Sequence, residues 1–186
     1  MSHVLIAFLL TFGASLDAEV NTPKSTEPIH RIYKQTPAER EADLRKWVGG
    51  YGESFGGIDY KWGGKTSEGF DCSGFTKFVF GSYGIDLSGH SGTQATQGRA
   101  ISLQNAQPGD LVFFGYGGRV THVAIICENT ADGIIAVHST SSKGIMKQNI
   151  SKSSYWSPKI LFARDVISRY IDEDFSKDLI NTRDAK

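Results

Sequence analysis

Cys72 stands in the run Gly69-Phe70-Asp71-Cys72-Ser73-Gly74-Phe75, where a polar loop gives way to an apolar helical pattern. A cysteine at that junction is placed for nucleophilic chemistry. The thiolate is the reactive form, and a helix N-terminus favours it through partial positive charge and unpaired N–H groups. A lowered thiol pKa is therefore expected at Cys72. Such a nucleophile needs a base, and the base needs a group that orients it. Two histidines further along the chain, His122 and His138, stand in β-branched, strand-like segments.

The histidine segments flank residues 128–133, which end in Asp132-Gly133, a hairpin signal. A turn centred near Thr130 sets His122 opposite His138. Both then project from one face, because strand side chains alternate with period two. If that face packs on the start of the Cys72 helix, the sulfur meets His122, and His138 can hold His122 in the required tautomer. A Cys–His–His set also suits zinc. The chain has no C-x-x-C or H-x-x-x-H spacing, however, so no metal and no other cofactor is expected. Cys127 ends the apolar run Val123-Ala124-Ile125-Ile126 and reads as a core residue.

Helices come first and strands follow. Thr36 is an N-cap candidate, with Pro37 at the first helical position and Glu39 completing a capping box. Leu44, Trp47, Val48 and Tyr51 repeat at helical spacing and give one apolar face; Gly49, Gly50 and Gly52 are expected to end the helix. The Cys72 helix is expected to run to about Tyr83, capped by Asp71 and closed by Gly84, with Phe75, Phe78, Val79 and Ser82 buried. Pro108-Gly109-Asp110 then introduces a strand at Leu111-Val112-Phe113-Phe114. Further strands are expected at 120–127, 134–138, 145–150 and 160–164. This order predicts an α+β fold, with N-terminal helices packed on an antiparallel sheet of about five to six strands.

The chain has 186 residues, 39% of them hydrophobic, and a formal net charge of zero. That length suits one domain, and the balanced charge with no basic block predicts no nucleic-acid partner. Residues 4–14 form an apolar run too short to span a bilayer, which takes about 20 residues. With the small residue Ala18 after it, residues 1–18 read as a signal peptide and the protein as exported, periplasmic or secreted, without a membrane span. Residues 19–35, with two prolines, read as a linker, and residues 168–186 as a charged tail. A monomer is expected.

Three segments in order resemble the NlpC family of papain-like cell-wall cysteine peptidases. Tyr60-Lys61-Trp62-Gly63-Gly64 with Gly69-Phe70-Asp71-Cys72-Ser73-Gly74-Phe75 is similar to the family's nucleophile block. Gln107-Pro108-Gly109-Asp110-Leu111-Val112-Phe113-Phe114 and then Thr121-His122-Val123-Ala124-Ile125 resemble its general-base block. His138-Ser139-Thr140 with Lys143-Gly144-Ile145 resembles the third. The resemblance implies a papain-like catalytic domain over residues 36–167, with Cys72 as nucleophile, His122 as base and His138 as orienting residue. It also implies that the Tyr60 hydroxyl points into the site and that Asp71 and Ser73 help bind substrate. The implied substrate is a peptidoglycan stem peptide, cleaved between γ-linked D-glutamate and a diamino acid. A related amidase or acyltransferase, or a non-catalytic wall-binding module, are the other readings. One departure touches the groove wall: Leu87-Ser88-Gly89-His90 stands where many relatives carry Leu-Pro-Arg, and His90 reads as a solvated loop residue.

Overall fold

The computed structural model describes residues 35–172. The expected signal peptide, nearly all of the linker, and the tail beyond residue 172 lie outside the described residues. Helix α1, Pro37–Glu53, starts with the expected capping box: the Glu39 N–H donates to Thr36 Oγ1, and the Thr36 N–H donates to the Glu39 carboxylate. The glycines do not end it. The helix runs through Gly49, Gly50 and Gly52, and two of these give it close approach to the sheet. A Cβ at Gly52 would stand 3.1 Å from Val137 Cγ1, and one at Gly49 3.9 Å from the Cys127 backbone. The buried face is Leu44, Arg45, Val48, Gly49 and Gly52, so Trp47, expected inside, is instead 48% exposed.

Arg45 is buried because two buried carboxylates face it. Its guanidinium reaches Asp110 Oδ1 at 2.7 Å and Asp165 Oδ1 at 2.9 Å. These bonds tie α1 to residues flanking two strands distant in sequence. Burial pushes Asp110 up to about 6 against the pull of Arg45, whereas Asp165, bonded also by Ser168 and the Ile167 N–H, falls to about 2.

A short hairpin, β1 (Lys65–Thr66) with β2 (Gly69–Phe70), leads into α2, Cys72–Gly81. Asp71 caps α2, accepting the Gly74 N–H at 2.6 Å. The glycine at 74 is required there, since a Cβ would collide with the Gly64 carbonyl, which accepts the Asp71 N–H. Ser82, expected in the core, is the exposed C-cap; Phe80 takes its place. A single turn, α3 (Ser91–Gln94), follows.

Six antiparallel strands complete the domain: β3 (Arg99–Ile101), β4 (Leu111–Tyr116), β5 (Arg119–Thr130), β6 (Gly133–Thr140), β7 (Gly144–Asn149) and β8 (Ile160–Asp165). Their order in the sheet is β3-β8-β4-β5-β6-β7. One face packs on α1 and α2 through Leu111, Phe113, Val123, Ile125, Val137 and Ile145. The opposite face carries Val112, Phe114, Ala124, Ile126 and Ala136 beneath Trp156. Among the described residues no helix is long and apolar enough to cross a membrane.

Candidate active site

The hairpin that carries the histidines is longer and differently registered than its sequence suggests. Thr130 pairs with Gly133, leaving Ala131 and Asp132 as a two-residue turn. Gly133 takes the positive φ (113°), which glycine tolerates at no steric cost. The ladder then shifts by one at Cys127: Glu128 pairs with Ile135, but Ile126 pairs with Ala136. Cys127 is the extra residue of a β-bulge. Carried straight on from the turn, the register would put His122 and His138 on opposite faces. The bulge restores the parity. They are diagonal neighbours on one face, not directly opposed, and His122 Nε2 lies 2.9 Å from His138 Nδ1.

That face is the one away from the helices, contrary to the expectation that it packs on α2. Both imidazoles lie against Phe114 and Trp156, while Cys72 packs with the helix-side core. The two halves meet where the sheet parts. The β5–β6 ladder extends from the turn only to Ile125 and Val137. Beyond that pair the loop before α2 moves in, and Ser139 Oγ donates to the Phe70 carbonyl at 2.7 Å. In the opening, the Val123 N–H turns to the Cys72 sulfur, joined there by the N–H groups of Ser73 and of Cys72 itself. Val123 N is bonded to the carbonyl carbon of His122, so the sulfur and the base candidate share one peptide unit. Among the described residues, Cys72 makes no hydrogen bond to either imidazole in this state.

The helix start does not lower the thiol pKa. Burial, followed by the charge of Asp71, outweighs the three N–H groups and pushes Cys72 up to about 11. Burial pulls His138 down to about 4. It also drives His122 well below the ordinary imidazole value, with His138 and Lys159 adding to the effect. At neutral pH the resting site is therefore thiol and neutral imidazoles. Tyr60 bridges to Phe70 and is raised by burial and by Cys72 and Asp71, so its hydroxyl keeps its proton beside the sulfur.

Asp71 and Ser73 lie at the same helix start. Asp71 Oδ1 is taken by the Gly74 cap, and the Ser73 hydroxyl donates to the Gly89 carbonyl at 3.0 Å, with Asp71 Oδ1 at 3.1 Å. The 88–94 wall is further held by buried Gln94, whose Nε2 donates to the Ser73 and Ser88 carbonyls. His90 is exposed. Among the described residues no three His, Cys, Asp or Glu side chains converge as a metal site.

Two neighbours of the histidines escaped the sequence reading. Trp156 stacks on His122, with ring centroids 4.5 Å apart. Gln148, on β7, brings its amide within 2.6 Å of His138 Nε2. Neither stands in a motif; both arrive by strand pairing and loop return.

A helix-capped cysteine against an antiparallel sheet bearing paired histidines defines a papain-like α+β domain. The chain belongs to the NlpC/P60 family, whose model matches residues 57–165. It is 52% identical over 69 residues to "Probable endopeptidase p60" of Listeria grayi, covering 37% of this chain and 14% of that protein. It is 43% identical over 115 residues to "Gamma-DL-glutamyl hydrolase" of Bacillus subtilis, covering 59% and 27% respectively. The chain thus spans well under a third of either relative's length. A crystal structure of an NlpC/P60 family protein from Bacillus cereus superposes with a TM-score of 0.61 at 31% identity, over 66% of this chain and 40% of that one.

Proposed function

We propose that this protein is an exported cysteine endopeptidase that hydrolyses amide bonds in peptidoglycan stem peptides, between γ-linked D-glutamate and a diamino acid. Residues 36–167 are the proposed catalytic domain. The observation that carries the reading is the His122–His138 bond, which engages His122 Nε2 and leaves Nδ1 as the ring nitrogen to serve a sulfur that the next residue's N–H faces. The name of the Bacillus subtilis relative, "Gamma-DL-glutamyl hydrolase", supports the γ-glutamyl side of that bond.

Cys72 Sγ attacks the scissile carbonyl carbon, and its proton passes to His122 Nδ1 as the substrate closes the gap between sulfur and ring. The oxyanion is stabilised by the Cys72 N–H and the Tyr60 hydroxyl. Collapse breaks the C–N bond; the leaving amine takes the proton from His122 and a thioester remains. His122 then deprotonates a water that hydrolyses the thioester. His138 orients His122. Asp71, whose Oδ2 accepts no hydrogen bond among the described residues, offers that oxygen to the stem peptide, while Ser73 holds the wall in place.

The test is mass spectrometry of defined muropeptides. Wild type is expected to release the free γ-glutamyl acid, and Cys72→Ala to release nothing while retaining its fold. Cleavage by Cys72→Ala at the wild-type rate would remove the nucleophile from the reading.

A further inference from the structure

We infer that Gln148 is a positioning residue that sets the proton register of the histidine pair; the inference rests on the proposed role of His122 as base. The three groups form a single file. Gln148 meets His138 Nε2 at 2.6 Å, and His138 Nδ1 meets His122 Nε2 at 2.9 Å. Each neutral imidazole carries one N–H and one acceptor nitrogen, so the proton position on one ring dictates the next.

Once His122 has taken the sulfur's proton, both of its nitrogens are protonated. Its Nε2–H must then donate to His138 Nδ1, which places the His138 proton on Nε2, facing Gln148. Only an acceptor can receive it there. Gln148 supplies one when its carbonyl oxygen faces the ring, and opposes it when its amide N–H does. In the structure the Nε2 end of Gln148 faces His138. With that end donating, the file would carry protons on His138 Nδ1 and His122 Nδ1 and leave His122 no lone pair for the thiol, since the ring roles follow the tautomer. A half-turn of the amide reverses the file and arms the base. His138 is fully buried, so no bulk water replaces the partner. The other titratable groups around the pair are Lys159 and Tyr155 by Trp156, Lys143 on the rim of the cavity of about 380 Å³ lined by His122, Tyr155 and Gln148, and Cys72, Asp71 and Tyr60 across the opening.

The experiment compares wild type, Gln148→Glu and Gln148→Met by imidazole ¹⁵N NMR over a pH series, alongside kcat and KM on a γ-D-glutamyl peptide. A carboxylate only accepts. Gln148→Glu is therefore expected to fix His138 as the Nε2–H tautomer and raise the proton affinity of His122 about tenfold over that in Gln148→Met. Gln148→Met is expected to lower kcat by about 10–100-fold, the usual cost of losing such an outer partner, with Gln148→Glu recovering most of it. His138 remaining Nδ1-protonated in Gln148→Glu, or one His122 titration shared by all three proteins, would overturn the inference. Because the NMR readout needs no turnover, a wild type that cleaves nothing would strike the proposed function and leave the register to be judged on the spectra.

Discussion

Trp156 lies over His122 with ring centroids 4.5 Å apart and planes 26° from parallel, and its indole also reaches His138 at 4.9 Å. The indole therefore roofs the hydrogen bond between the two imidazoles. A polar pair kept from water interacts more strongly and holds its geometry better than a wet one.

Removing the roof should therefore loosen the pair. Trp156→Ala is expected to return the His122 proton affinity toward its ordinary value and to lower kcat more than it changes KM. Imidazole NMR titration read beside steady-state kinetics checks this. An unchanged His122 titration in Trp156→Ala would show that the indole does not shield it.

The buried histidine also links stability to pH. His138 titrates near 4 when folded, below the ordinary value of 6.5. Below 6.5 the unfolded chain binds a proton that the folded protein refuses, so this contribution is complete above 6.5 and is lost as pH falls toward 4. It amounts to about 3 kcal/mol. Asp110, raised to about 6, acts in the opposite direction over part of that window. The measurement is therefore the difference in unfolding free energy between wild type and His138→Gln, which should widen as the pH rises from 4 to 6.5.

The acidity of the thiol is open to a separate test. The charge of Asp71 helps hold Cys72 near 11, and asparagine caps a helix about as well as aspartate. Asp71→Asn should leave α2 intact and bring the midpoint of Cys72 alkylation with iodoacetamide below that of wild type. Cys127, pushed up to about 12 by burial and by Glu53, serves as the slow internal control. A higher midpoint in Asp71→Asn would reverse the sign assigned to Asp71.

Arg45 offers a stability test away from the chemistry. Arg45→Met leaves Asp110 and Asp165 buried without their shared cation, a change that typically costs about 3–5 kcal/mol. Denaturant unfolding near neutral pH should show that loss. A triple change that also makes the two aspartates asparagine should recover part of it. A loss well under 1 kcal/mol in Arg45→Met would mean that the cluster is not the tie between α1 and the sheet.

Much of the site could be read from local chemistry. The Asp71 cap, the Cys72 position at the helix start, the capping box at Thr36 and five of the six main strands all follow from neighbours in the chain. What stayed hidden depends on long-range apposition. Gly49 and Gly52 resemble stop signals but serve close packing on Cys127 and Val137. Strand β3 is three residues long and gains its meaning only from β8. The thiol pKa came out opposite in direction because burial is invisible in a local motif. The His122–His138 pairing was anticipated through the wrong register, since nothing in residues 126–128 announces the odd residue.

That odd residue divides the hairpin into two territories. Between Cys127 and the turn, residues can be gained or lost in pairs, one on each strand, without disturbing the chemistry. On the other side the count matters: with all of Val123 to Cys127 present, straightening the ladder through Cys127 would turn one imidazole through the sheet and leave two intact histidines unable to meet. Homologous hairpins should accordingly vary in reach at the tip, and those with an uneven count between their strands should keep the bulge.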